Sequence, residues 1–251
     1  MGFQKGSISL SPGHDVPLLL QVLHSQFITH DQLFEFMRIG CYEFQKPSFN
    51  WRVRRLVKSG LLERQCAQPV TPEPIYSITN VGKLMLADHC PVMDSRRHKD
   101  AASHVNLIHS LQLNRLHLSL ALQDVLADWQ SEMAIRAKNE FTPAGYMKNY
   151  DAIVTVRIAG GRFSFALEYE RSPKKPKTYM RIRSLLEQEA QVRRFLYLVP
   201  EPKLASLLLD CFAGTAAAIY VGLAPEMIRS FVEMKVIESS SGRTKPITAL
   251  L

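Results

Sequence analysis

Four cysteines in 251 residues, at positions 41, 66, 90 and 211, stand too far apart for the close pairs that bind zinc or shuttle electrons. They read as reduced thiols, which favours a reducing, cytoplasmic setting. No apolar run approaches the ~20 residues that cross a bilayer, so no membrane partner is expected. The first ten residues hold no sustained apolar stretch of the kind that directs secretion. No internal repeat is visible, which argues against solenoids and propellers. Apolar side chains are not scarce: 46% of residues are hydrophobic and 22% charged, enough to bury cores in two modest domains.

What the chain has in excess is positive charge. The formal net charge is +8, and residues 151–200 alone hold ten Lys and Arg against five Asp and Glu. Such a stretch either faces water or neutralises phosphates, where released counterions add affinity.

Residues 1–15 read as a leader rich in Gly and Pro. From Pro17 the pattern is helical, with Leu18, Leu19, Val22 and Leu23 on one face. Thr29 has the chemistry to cap a second helix, with Leu33, Phe34 and Met37 inward and Gly40 at its end. Ser48 is the N-cap candidate for a third, in which Phe49, Val53, Leu56 and Val57 recur at helical spacing up to Ser59-Gly60. The period then drops to two: Leu61 to Arg64, a proline-rich turn, and Ile75 to Ile78 read as a hairpin. Thr79 begins a fourth helix through Val81, Leu84, Met85 and Leu86. Helix, helix, helix, hairpin, helix over 16–90 is the order of a winged helix-turn-helix. The run Arg55 to Arg64, with Tyr76 to Gly82, resembles the recognition-helix-to-wing signature of bacterial winged-helix regulators.

The third helix carries Arg52, Arg54, Arg55 and Lys58. The guanidinium fork can donate twice to a phosphate or a guanine edge. Arg52, Arg55 and Lys58 are expected on or near the outward face, with Arg54 at its edge. Ser48, Asn50, Arg52, Arg54, Arg55, Lys58 and, on the wing, Arg64 form the expected DNA-binding set. Residues 91–128 are expected to supply a long linking helix, amphipathic from 97 on, with Leu107, Leu111, Leu118, Leu122 and Val125 on its buried side. Its histidines, 98, 104, 109 and 117, lack the spacing of a compact metal site and read as surface or core residues.

Residues 129–238 read as a mixed α/β domain. Ala152 to Ile158 and Phe163 to Tyr169 alternate around a Gly160-Gly161 turn. A basic helix over 174–191, a strand at 195–199, a helix at 202–212, a strand at 217–221 and a last helix at 225–233 follow, with a loose tail over 239–251. Glu132, Asp151, Glu168 and Glu170 are the informative acids. Glu168 and Glu170 lie two apart near a strand end and so share a face. Buried carboxylates need a cation, an arginine or water. Their partners are either Arg157, Arg162 or Arg171 in a structural ion cluster, or a hard divalent metal of the kind that assists phosphodiester hydrolysis.

The order of elements and acids resembles the restriction-endonuclease-like core, which carries an acid on one strand and acid-x-lysine on the next. Asp151 takes the first acid position, Glu168 the second, and Glu170 stands where lysine belongs. A glutamate there cannot stabilise developing negative charge; Lys174, Lys175 or Lys177 could substitute. The winged helix together with Leu167-Glu168-Tyr169-Glu170-Arg171 is similar to the replication-relaxation family of plasmids and mobile elements, over roughly residues 17 to 200. That resemblance implies a role in maintaining or regulating mobile-element DNA.

The expected fold is α+β: an N-terminal winged helix-turn-helix, a long linking helix and a C-terminal restriction-endonuclease-like domain with a mixed sheet. The expected function is a DNA-binding regulator or replication accessory protein, leaning away from catalysis, with duplex DNA as partner, a homodimeric state and no cofactor. The alternative is a metal-dependent endonuclease targeted by its winged helix, in which Glu132, Asp151, Glu168 and Glu170 are catalytic and Asp151 and Glu168 hold magnesium.

Overall fold

The structure, a computed structural model, describes residues 8–68, 70–87, 89 and 104–250 and divides into two compact units, Met1–Asn114 and Arg115–Leu251.

In the first unit the order is α1 (Asp15–Ser25), β1 (Ile28–Thr29), α2 (His30–Ile39), α3 (Lys46–Lys58), β2 (Leu62–Cys66), β3 (Pro74–Ile78) and α4 (Asn80–Met85). Its core is built from apolar positions at helical spacing: Leu18, Leu19, Val22 and Leu23 of α1, Leu33 and Met37 of α2, and Phe49, Val53 and Leu56 of α3 are all buried. Thr29 starts α2 with a capping box, its side chain accepting from the Gln32 N–H while the Gln32 side chain accepts from the Thr29 N–H. The three strands form an antiparallel sheet in the order β1-β3-β2, with Leu62 opposite Ile78 and Arg64 opposite Tyr76. Thr79 caps α4 by accepting from the Gly82 N–H at 3.0 Å. A Cβ on Gly82 would lie 2.3 Å from the Leu61 carbonyl oxygen, so the backbones meet there only because residue 82 has no side chain.

Three local expectations need correction. The α3 helix starts at Lys46 with Gln45 at its N-cap and Pro47 in its first turn, so Ser48 lies inside the helix and caps nothing. The linking helix appears as α5 (His104–Leu122), and Leu122 is exposed; residues 97–103, with His98, lie outside the described residues. Asp124, at φ 55°, takes a left-handed turn that ends the helical path, and 126–128, expected as helix, begin a strand instead.

In the second unit β4 (Leu126–Ser131), α6 (Glu132–Phe141), β5 (Ala152–Ile158), β6 (Gly161–Tyr169), α7 (Pro176–Gln188), β7 (Arg194–Val199), α8 (Pro202–Phe212), β8 (Ala218–Leu223), α9 (Ala224–Arg229), β9 (Lys235–Glu238) and β10 (Thr244–Pro246) follow the second half of α5. They build a seven-stranded mixed sheet in the order β10-β9-β8-β7-β6-β5-β4. The pairs β6-β7 and β7-β8 are parallel, joined by the crossover helices α7 and α8, and both flanks are antiparallel. A tight turn through Ala159 and Gly160, both at positive φ, sets Ile158 opposite Gly161. Leu126/Asp128 on β4 carries a register irregularity. Ile153, Ala166, Phe195, Tyr197, Val199, Ile219 and Val221 bury one sheet face in a cluster with Tyr179, Ile182 and Leu186 of α7 and Leu204, Leu208 and Phe212 of α8. His117 stacks on Trp129 with ring centroids 4.3 Å apart. The tail expected to be loose from Ser239 on forms a closed hairpin: the Gly242 N–H donates to the Glu238 carbonyl and β10 pairs with β9.

Candidate DNA interface and acidic site

Helix α3 has two polar faces with different fates. Arg52 and Arg55 turn inward, against expectation. The cause is Asp15 at the start of α1, whose side chain is only 1% exposed. Its carboxylate accepts from Arg52 Nη1 at 2.9 Å, from the Ser11 N–H at 2.7 Å and from Arg55 Nη2. Arg52 Nη2 also reaches Glu43 Oε2 at 3.5 Å. Burial disfavours the Asp15 anion, but the bonds from Arg55, Ser11 and Arg52 outweigh that and hold its pKa below the ordinary value. These two arginines clamp α3 to α1 and are not available as an outward reading face.

The other face of α3 carries Asn50, Arg54 and Lys58, all exposed, together with Ser48. Asn50 and Arg54 are four residues apart and so share one side of the helix. They line an open cavity of about 310 Å³ between α3 and the β2–β3 hairpin, completed by His30, Val53, Val57, Arg64, Pro74 and Tyr76. Among the described residues Arg54, Lys58 and Arg64 form no ion pair, and Arg54 and Arg64 line the opening without an anion of the protein's own.

The acidic cluster stands where β5 begins and β6 ends. The antiparallel register that pairs Ala152 with Leu167 brings Asp151 beside Glu168. Asp151 Oδ2 accepts from the Tyr169 N–H at 2.7 Å, while its carbonyl accepts from the Glu132 N–H at 3.1 Å. The Glu132 side chain accepts from Arg136 at 2.6 Å, one turn on along α6. Glu168 and Glu170 are buried, and each has an ammonium partner: Lys148 Nζ donates to Glu168 Oε1, and Lys174 Nζ donates to Glu170 Oε2 at 2.5 Å. The observed partners are therefore lysines where arginines 157, 162 and 171 were considered. Burial pushes the Glu168 carboxyl up to about 7; Lys148 pulls it down and the Asp151 carboxylate adds to the rise. Burial also disfavours the Lys174 ammonium, but its bond to Glu170 outweighs this and raises its pKa.

Two residues of this cluster escape the sequence reading. Lys148 precedes β5, and counting the hairpin register back from Gly160 would have set it near residues 168–171. Tyr197 of β7 pairs with Glu168 in the parallel register, and its buried hydroxyl has no hydrogen-bond partner among the described residues.

Among the described residues no group of three or more His, Cys, Asp or Glu is arranged to hold a metal ion. The carboxyl groups of Glu168 and Glu170 are already engaged by ammonium groups.

No family model and no curated protein matches the chain. Two solved structures are similar to it, both of the restriction endonuclease FokI. The DNA-bound one shows 11% identity and a TM-score of 0.27 over 85% of this chain and 43% of its own. The other shows 11% identity and a TM-score of 0.27 over 89% of this chain and 45% of its own. The chain thus spans less than half the length of either. No helix among the described residues is long and apolar enough to cross a membrane.

Proposed function

We propose that this chain is a duplex-DNA-binding accessory protein. Its first unit is a winged helix that lays α3 on the duplex with the β2–β3 hairpin as wing. Its second unit is a restriction-endonuclease-like module whose acids are engaged by Lys148 and Lys174 and which does not cleave. The observation that carries this reading is the cavity between α3 and the hairpin, where Arg54 and Arg64 stand without an anionic partner. Cations so placed recover their missing partner from phosphate oxygens or a base edge. The resemblance to the replication-relaxation family supplies a setting, the maintenance or regulation of mobile-element DNA. A homodimer belongs to the same proposal, since two heads would then read a two-fold symmetric site.

Fluorescence-anisotropy titration of a labelled duplex tests it. Wild type should bind and lose affinity steeply between about 0.05 and 0.2 M salt. Arg54→Ala with Arg64→Ala should weaken binding by about 10- to 100-fold and flatten the salt slope by about 2. Binding unaffected by the pair sets the interface elsewhere.

The nuclease alternative keeps one favourable observation, the two ammonium groups beside Glu168 and Glu170, which stand near the place of the absent motif lysine. A plasmid-nicking assay with magnesium or manganese decides. The expected result is no nicking above that of an Asp151→Ala, Glu168→Ala double variant. Metal-dependent nicking by wild type that disappears in the double variant establishes the endonuclease instead.

A further inference from the structure

On the exposed face of α3, Asn50 is not free to choose how it presents its amide. His30, the first residue of α2, stands between it and the wing: His30 Nδ1 lies 3.1 Å from the Tyr76 hydroxyl and His30 Nε2 lies 2.9 Å from Asn50 Oδ1. The imidazole is held by ring contacts to Phe49 at 4.9 Å and Tyr76 at 5.8 Å between centroids. Asn50 Oδ1 can only accept, so the ring nitrogen that faces it is the donor. The ring proton then sits on Nε2 and donates to Asn50 Oδ1. The contacts run from the hairpin through α2 to α3, and with Oδ1 held by His30 the Asn50 NH2 group is the end left to a ligand in the cavity that Asn50 lines.

We infer that the cavity side of α3 is a donor-rich reader that selects guanine through Arg54 and the Asn50 NH2 group, with His30 as the residue that positions Asn50. The inference rests on the DNA-binding reading above. An asparagine that reads adenine needs both halves of its amide, the carbonyl for N6–H and the NH2 for N7. Here His30 takes one lone pair of the carbonyl and fixes the orientation of the amide, so the NH2 group is the end presented to a base. Arg54, one turn along, and Arg64 across the cavity are donors as well. A major-groove edge made of acceptors alone answers such a face, and guanine, with N7 and O6 side by side, provides it. Adenine sets its N6 amino donor against these donors and leaves it unmatched. The chemistry that would be recognised is thus a duplex with guanine at the positions facing α3.

Selection of the full chain against a randomised duplex pool, followed by anisotropy on single duplexes, tests this. The expected outcome is enrichment of guanine at one or two adjacent positions. Replacing that guanine by 7-deazaguanine, which lacks N7, should loosen binding by about 10-fold. His30→Ala frees the Asn50 amide to rotate, and the guanine-to-adenine affinity ratio should fall by about 10-fold, read as a ratio so that a general loss of affinity cannot imitate it. Thermal melting confirms that the variant is folded, and Asn50→Ala should lower the ratio while leaving the His30–Tyr76 contact in place. Enrichment of adenine, or a ratio unmoved by both variants, overturns the inference. Salt-sensitive binding with no base preference overturns it too, but leaves the DNA-binding reading standing. Absence of binding to any duplex removes that reading and this inference together.

Discussion

Asp15→Ala should destabilise the first unit by about 3–5 kcal/mol, the loss seen when one member of a buried ion cluster is removed. The substitution deletes the acceptor of Arg52, Arg55 and the Ser11 N–H in one step. Arg52 keeps Glu43 at 3.5 Å, a longer contact than the 2.9 Å to Asp15. Two guanidinium groups, only 11% and 26% exposed, then stand short of an anion. A loss of that size lowers the melting temperature by more than about 10 °C in a unit of this length. The pH dependence follows from the depressed pKa of Asp15. Its stabilisation is present above the unfolded carboxylate value and disappears as pH falls through the lower folded value. Urea unfolding of wild type and variant at neutral and acidic pH measures both effects. Equal midpoints at neutral pH would show that the clamp contributes nothing. Duplex binding by Arg52→Ala or Arg55→Ala proteins has to be read against this background, because either change weakens the fold before it touches any DNA contact.

Glu168 has the opposite sign. Burial raises its folded pKa to about 7, above the ordinary 4.5. The folded chain therefore holds a proton that the unfolded chain gives up. Its contribution is complete below pH 4.5 and is lost as pH rises through about 7. Relative to Glu168→Gln, which cannot ionise, wild type should lose on the order of 3 kcal/mol of unfolding free energy over that interval. The comparison cancels the titration of the other groups, provided that both proteins are unfolded at each pH under one set of conditions. Parallel stability curves for the two proteins would mean that Lys148 holds Glu168 ionised throughout, as a plain ion pair.

Features set by near neighbours were legible in the sequence. Thr79 caps α4 and Thr29 caps α2 within one helical turn, and the glycines mark the β5–β6 hairpin, although its turn is Ala159-Gly160 and not the expected Gly160-Gly161, which would have shifted the register by two. Features set by distant partners were not. Helical spacing allowed Arg52 and Arg55 to face outward, and only Asp15, 37 and 40 residues earlier, draws them in. The overextended linking helix has a different cause. Leu126 and Trp129 continue its apolar pattern, and the break is made by a single left-handed residue, Asp124. The acid positions could be read from strand alternation, and Lys174 was among the lysines set beside them, but Lys148 could not be read from the motif. Lys148 lies ahead of β5, and Lys174 becomes a partner only because the chain turns after Glu170 into α7.

The two borders of the large sheet carry a consequence for handling the protein. A border strand with a row of unused backbone groups is a template on which a second chain can grow, the first step of aggregation. Here β10 is three residues, Thr244-Lys245-Pro246, with a proline that has no N–H to offer and a lysine that would bring charge against charge in a stacked copy. The opposite border, β4, is kinked by its irregular register at Leu126/Asp128, which spoils a straight run of pairing. Neither border offers a flat template, so concentrated solutions of the folded protein should resist seeding by strand addition.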